Sequence, residues 1–427
     1  MGTLITILFI AGYAAIAFEH PIKINKTASA LLTGVLCWVV YIMTSSNTDL
    51  VSEQLYEHFG QISGILFFLL SAMTIVELID AHDGFEVITS KITTKDTRKL
   101  LWIISFVTFF LSSVLDNLTT TIVMVSLLRK LITDKETRMF FIGMVVIAAN
   151  AGGAWTPIGD VTTTMLWIGG QITTANIMIK LFLPSIACIV VPLILLSFRI
   201  KGKIENSPII ENKETDQTSR FERRLILGLG IGALIFVPVF KTITNLPPFL
   251  GILFGLGILW VVTEIIHRKR NDADKDVYSV VHALRKADVP SVLFFLGILV
   301  AISALESTHL LANLASYMDR TIGNINIIVI SIGLLSAIID NVPLVAATMG
   351  MYDMQTFPPD HYFWEFIAYC AGTGGSCLII GSAAGVAAMG MEKIDFFWYV
   401  KRISGLALLG YFAGAFLYMA QHSLFNL

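Results

Sequence analysis

"SSVLDNLTTT", residues 112–121, closes an apolar run that begins at Leu100, and "SAIIDNVPLV", residues 336–345, does the same in a second run. Each carries an Asp-Asn pair, Asp116-Asn117 and Asp340-Asn341, among hydrophobic neighbours. An ionisable side chain at the centre of a bilayer costs about 2.5–3.5 kcal/mol or more and marks function by default. The weight of that argument depends on whether these runs are membrane.

Composition answers that question. The 427 residues are 55% hydrophobic and 14% charged, with a mean hydropathy of +0.76, whereas soluble chains are about 25% charged. The apolar residues fall in blocks of roughly 20, the length a helix needs to cross hydrocarbon. Hydropathy places spans near 3–19, 27–44, 61–80, 139–168, 177–198, 223–240, 247–266, 289–310, 363–390 and 397–420, with 100–129 and 325–350 as two further stretches. The four cysteines, Cys37, Cys188, Cys370 and Cys377, all lie in apolar segments and read as small core residues. The N-terminal segment lacks a basic leader and a cleavage site, so it reads as a retained span. No basic patch points to nucleic acid.

The stretches 100–129 and 325–350 can each be one tilted span or a hairpin that returns to its starting side. Charge decides between them. With two hairpins and both termini outside, all of the 29 Lys and Arg residues except Lys180, Lys241 and Arg320 fall inside. The acidic segment with Asp49, Glu53 and Glu57 then falls outside. A full span at either stretch flips every later loop and destroys this asymmetry, so the positive-inside rule favours hairpins.

Each half then holds five crossings and one hairpin. Five is odd, so the second half enters the membrane inverted. The sequence repeats accordingly. The Asp-Asn pairs are 224 residues apart, and "NAGGAWTPIGDVTT" (150–163) aligns with "GTGGSCLIIGSAAG" (372–385) at an offset of 222. "LFFLLSAMTIVEL" (66–78) echoes "LFFLGILVAISALES" (293–307), which brings Glu77 near Glu306. The expected fold is an all-α polytopic membrane protein of two inverted repeats, residues 1–198 and 223–427, around a cytoplasmic linker at 199–222. Each repeat has five spans, broken helices and one re-entrant hairpin, a recurrent plan of secondary transporters with a midplane site.

The two Asp-Asn tips, "GGAWTPIGDVTT" and "GSAAGVAAMG" resemble the NhaD-type sodium/proton antiporters of the ion transporter superfamily, over about residues 20 to 420. The resemblance implies Na⁺/H⁺ exchange with Li⁺ as a further substrate, and a homodimer in a bacterial cytoplasmic membrane. It also implies an elevator-like displacement of the hairpin-bearing bundle.

The residues themselves suit such chemistry. Asp116 and Asp340 stand at hairpin turns, where unwound backbone offers free carbonyls and is tolerated only against protein or water. Asn117 and Asn341 add amide oxygens, and Thr119, Thr120 and Thr121 add hydroxyls on the first side. Asp116, Asn117, Asp340 and Asn341 are the expected Na⁺ ligands. Pro343 is expected to hold the second tip away from regular helix. Around the glycine break, Asn150, Asp160, Thr162 and Thr163 join the cation and proton site. The second copy has Ser382 where the first has Asp160, so the halves are chemically unequal. Glu77 and Glu306 are further candidates. His82 with Asp83 titrates in a range suited to pH sensing, though it reads as a solvated loop.

A hard cation such as Na⁺ prefers oxygen ligands, and desolvation raises the proton affinity of a membrane carboxylate. One carboxylate can therefore take either ion in turn, with no cofactor beyond the transported Na⁺ and H⁺. A sodium-coupled carboxylate transporter or a metalloid exporter of the same superfamily is the nearest alternative, but aspartates at both tips repel an anion. An intramembrane aspartyl protease gives the matched tips no role, and a passive channel does not require coupling to a pH gradient. The chain is expected not to be an enzyme.

Overall fold

The computed structural model describes residues 2–90, 92, 94–200, 202, 218–269 and 277–425. Most of the expected linker, residues 203–217, lies outside the described residues, as do Lys91, Lys201, Arg270 and Lys275 of the inside charges. The described chain folds into helices, with no β-strand among the described residues.

In chain order the main helices are α1 (Gly2–Ala17), α2 (Lys26–Thr44), α3 (Thr48–Ala81), α4 (Thr97–Ser112), α5 (Asn117–Leu131), α6 (Lys135–Ala154), α7 (Val161–Ile168) and α8 (Thr174–Arg199). The second half holds α9 (Arg220–Thr244), α10 (Pro248–Ile266), α11 (Val289–Ser307), α12 (Leu310–Thr321), α13 (Ile325–Leu335), α14 (Asn341–Met351), α15 (Tyr362–Gly374), α16 (Ala383–Glu392) and α17 (Gly405–Phe425). Their starts follow local chemistry. Asn25, Asn47, Asp96, Asp134, Ser219 and Asn324 each accept a backbone N–H from the first turn they precede, which satisfies donors a helix leaves orphaned. Among the described residues, eight helical segments are long and apolar enough to cross a membrane.

The four helices beside the Asp-Asn pairs are shorter. α4 and α5 have 16 and 15 residues, α13 and α14 have 11 each. At 1.5 Å per residue these reach about 16–24 Å, less than the ~30 Å of hydrocarbon. In each pair a short loop ending in the Asp-Asn tip joins the two helices. The stretches 139–168 and 363–390 are each two helices, broken at 155–160 and 375–382, where the glycine clusters predict a break. Two details differ from expectation. α3 begins at Thr48, so Asp49, Glu53 and Glu57 ride on a 34-residue helix. Pro343 sits in the first turn of α14 and does not interrupt it, because an N–H there has no intrahelical acceptor to lose.

Packing is reciprocal between the halves. α2 lies against α11 and α10 against α3; α4 against α6 and α13 against α15; α7 against α14 and α16 against α5. Like elements also meet directly, α3 with α11, α6 with α15 and α8 with α17. One group, α1–α3 with α9–α11, forms a framework, and the hairpins, broken helices, α8 and α17 form a second bundle.

Local geometry repeats at the offsets seen in sequence. A Cβ added to Gly152 would lie 2.2 Å from the Phe109 carbonyl oxygen, and one added to Gly374 would lie 1.9 Å from that of Gly333. Both positions demand glycine because a hairpin arm crosses backbone to backbone there. The Ser112 hydroxyl donates to the Ala149 carbonyl at 2.7 Å and the Ser336 hydroxyl to Ala371 at 3.1 Å. Two equivalent hydrogen bonds thus pin both hairpins to the helices that break.

Candidate functional site

The breaks in α6–α7 and α15–α16 and the tips of both hairpins converge on Asp160. It is 2% exposed and caps α7, its Oδ1 accepting the Thr162 N–H at 3.0 Å. Its Oδ2 accepts the side-chain amide of Asn117 at 2.9 Å and that of Asn341 at 3.3 Å. One carboxylate oxygen therefore touches both hairpins. The Asn117 amide also donates to Asn150 Oδ1 at 3.0 Å, and the Asn150 amide donates to Ser382 Oγ at 3.0 Å. Ser382 caps α16, accepting the Gly385 N–H at 3.2 Å. This chain of side chains joins all four interrupted elements. All of its members are buried.

The tip aspartates behave differently from their asparagine neighbours. Asp116 caps α5, its Oδ1 and Oδ2 taking the Thr119 N–H and hydroxyl at 2.7 Å each. Asp340 caps α14 with a 3.3 Å bond from the Val342 N–H. A side chain at N-cap curls back over its own helix, while the next residue projects away from it. Thus each Asn reaches the centre and each Asp stays at the tip. Both acids remain within electrostatic reach of Asp160.

The remaining expected residues divide. Thr120 and Thr121 are buried, with hydroxyls that find no hydrogen-bond partner among the described residues, while Thr119 is spent on Asp116. Thr163 donates to the Asp160 carbonyl at 2.9 Å, and Thr162 is buried beside it. Glu77 has Asp80, Lys286 and Asp116 within electrostatic reach but no bond into the cluster. Glu306 is exposed and lies near Gly350, nine residues beyond Asn341, or about 13 Å along α14. His82 is not in a solvated loop: it is fully buried, with Nε2 2.9 Å from Nε2 of His267. The rings of His267 and Tyr278, each 5.2 Å away between centroids, cover it, and neither contact was visible in a short polar motif.

A cavity of about 60 Å³ reaches the cluster between α3, α11 and the first tip, lined by Phe68, Met73, Leu115, Asp116, Asn117 and Asp160. That volume holds a few water molecules, and Asp116, Asn117 and Asp160 give them polar partners within a largely apolar lining.

Three further charged groups escaped the sequence reading. Lys26, at the start of α2, places Nζ 3.7 Å from Asp340 Oδ2. Glu392, buried at the end of α16, accepts Arg138 Nε at 2.8 Å and has Arg129 Nε at 3.2 Å, which ties α5, α6 and α16. Glu365, fully buried at the start of α15, accepts from the Tyr418 hydroxyl and the Asn176 amide and faces Lys180 at 3.8 Å. Lys180 and Lys241 were two of the three basic residues left outside. Both are held by protein, since Lys241 donates to the Trp167 carbonyl at 2.9 Å and lies over the Trp167 ring.

Comparisons with known proteins identify the family. Residues 13–364 match the model of the citrate transporter family, CitMHS. Sodium/proton antiporter 1 of Arabidopsis thaliana is 54% identical over 98% of this chain and 72% of its own length. The Na⁺/H⁺ antiporter NhaD of Alkalimonas amylolytica is 28% identical over 97% of this chain and 89% of its own. The crystal structure of the Alcanivorax borkumensis YdaH transporter, described as having an unusual topology, covers 98% of both chains at 12% identity with a TM-score of 0.57, a likeness of fold. The chain is a multi-pass membrane protein that belongs to the CitMHS family, in the branch that holds the NhaD-type sodium/proton antiporters.

Proposed function

We propose that this chain exchanges Na⁺ for H⁺ across its membrane by alternating access. The observation that carries the reading is the buried carboxylate of Asp160, one oxygen of which accepts an amide from each Asp-Asn tip. A proton and a cation are alternative occupants of such a group. Whichever is bound, the occupant is sensed by both hairpins and both broken helices, because Asn117, Asn341, Asn150 and Ser382 form one hydrogen-bonded chain with it. The antiporter relatives support the same pair of ions.

Asp116, Asp340, Thr120, Thr162 and Thr163 supply the surrounding oxygens in this reading, and the cavity beside Asp116 is the approach. Exchange follows without direct contact between the ions, since one must leave before the other binds. Li⁺ is a further substrate. Inverted insertion of residues 1–198 and 223–427 agrees with the reciprocal packing of the halves. The charge asymmetry supports a cytoplasmic linker and both termini outside, and the NhaD relatives support a bacterial cytoplasmic membrane. Homodimerisation rests on the family resemblance.

The family description favours a second reading, carboxylate transport. Asp116 and Asp340, both within electrostatic reach of Asp160, oppose it, because an anion entering there meets like charge. Purified protein in liposomes with an imposed pH gradient separates the two. Recovery of lumenal pH on adding NaCl or LiCl supports cation exchange. Recovery only with citrate or another carboxylate would replace it.

A further inference from the structure

The two hairpin tips match in sequence and local geometry yet differ in charge. Among the described residues, Asp116 has no Lys, Arg or His within ion-pairing distance, whereas Asp340 faces Lys26 at 3.7 Å. Lys26 belongs to the framework group, on α2, and Asp340 to a hairpin tip. The ammonium also lies 4.5 Å from the centre of the Phe294 ring, on α11, a contact that favours a cation over the ring face. Lys26 occupies the first position of α2, where the helix dipole disfavours positive charge. A lysine there is held by Asp340 and Phe294 against the preference of its own helix.

The counterpart position shows that the repeat does not require it. Trp38-Val39-Val40 in α2 recurs as Trp260-Val261-Val262 in α10, at the same offset of 222, and both helices have 19 residues. The register puts Pro248 where the first half has Lys26. Proline carries no charge, so nothing equivalent is offered to Asp116.

We propose that Lys26 is a tethered competitor for the cation at Asp340, a positioning residue that sets the affinity of one tip and leaves the other free. The inference rests on the cation-exchange reading above. An Asp340 Oδ2 paired with an ammonium must release it before it can ligate Na⁺. Capping occupies the other oxygen, Oδ1, through Val342, so Oδ2 is the atom in dispute.

Two measurements test this. In Lys26→Gln and Lys26→Met the competitor is gone, and the KM for Na⁺ should fall about two- to fivefold, the worth of a partly exposed ion pair, without a rise in kcat. Lys26→Arg, which keeps a cation, should restore the wild-type KM. Unchanged or raised KM in both neutral variants would overturn the proposal, since loss of a merely structural contact lowers the amount of active protein without tightening Na⁺. The second measurement uses the wild-type protein and so does not depend on any variant folding. Labelling of Lys26 by an amine-reactive reagent, read by mass spectrometry, should increase with NaCl and not with choline chloride. Labelling indifferent to Na⁺, in protein that does exchange Na⁺ for H⁺, would sink the proposal alone. Absence of Na⁺-driven exchange in the wild type would instead remove the reading beneath it.

Discussion

Replacing Asp160 by serine copies into the first half what the second half already has at Ser382. The hydroxyl should keep the α7 cap, as Ser382 Oγ does by accepting the Gly385 N–H at 3.2 Å, and Asp and Ser are about equal at that position. The loss is Oδ2. Asn117 keeps Asn150 Oδ1 at 3.0 Å, but the Asn341 amide loses the acceptor it has at 3.3 Å. One buried donor left without a partner costs about 1–3 kcal/mol. The adjoining cavity of about 60 Å³ lets water replace part of that bond, which places the effect toward the lower end. A loss of that size leaves a folded protein. Exchange, by contrast, should vanish, because serine neither carries negative charge nor takes up a proton near neutral pH. The assay is Na⁺-driven recovery of lumenal pH in liposomes, beside thermal melting in detergent. Wild-type exchange with unchanged Na⁺ affinity in Asp160→Ser would refute the central role given to this carboxylate.

Four other outcomes are expected. Cysteine labels near Asp96 and Asp134 should react from one face of the membrane only, and labels at Asn324 and Asp353 only from the other; opposite faces within either pair would rule out that hairpin. Asp116→Asn and Asp340→Asn should melt near wild type, since Asn also caps helices well, yet fail to exchange; retained exchange in both would leave these acids as caps alone. Arg138→Ala strands buried Glu392 with only the exposed Arg129 and should cost about 3–5 kcal/mol, and a melting temperature unchanged from wild type would count against the clamp. At the start of α15, outside the spans, burial and then His422 hold the His361 imidazole below its usual 6.5, and its Nδ1 accepts the Phe363 N–H at 3.1 Å. That neutral cap is complete above pH 6.5 and weakens as pH falls through the lowered value, so hydrogen-exchange protection at Phe363 should drop on acidification and stay flat in His361→Asp.

The fold was legible because its decisive features are local. An Asp-Asn pair inside an apolar run, a glycine cluster followed by Asp or Ser, and a one-sided distribution of Lys and Arg each survive as patterns in the chain. The repeat sharpened them, and the same offsets reappear as hydrogen bonds from Ser112 and Ser336. What stayed hidden depends on which helix a side chain meets. Lys26 sits at the end of a span, where lysine ordinarily reaches interfacial water, and only the packing of α2 on α11 brings it to Asp340. Glu365 in "YFWEF" and Glu392 in "GMEK" have partners on other helices, 53 to 254 residues away, at Tyr418, Asn176 and Arg138. His82 needed His267, from the other half, before its burial made sense.

Capping and ion binding are compatible roles for the tip acids. A carboxylate has two oxygens and about four acceptor sites, and capping at Asp116 uses one on each oxygen, for the Thr119 N–H and hydroxyl. The remaining lone pairs are available toward the cavity that Asp116 lines. Protonation turns one of those free acceptor sites into a donor and removes the negative charge, so both Thr119 bonds lose their charge assistance. In the proposed exchange, a proton at Asp116 would therefore weaken the first turn of α5. Asn117 is the next residue and carries the bond to Asp160, so the occupant of the tip and the state of the central carboxylate are linked through one turn of helix. A cap made from an acid, rather than from the serine that would serve as well, gives the tip that sensitivity.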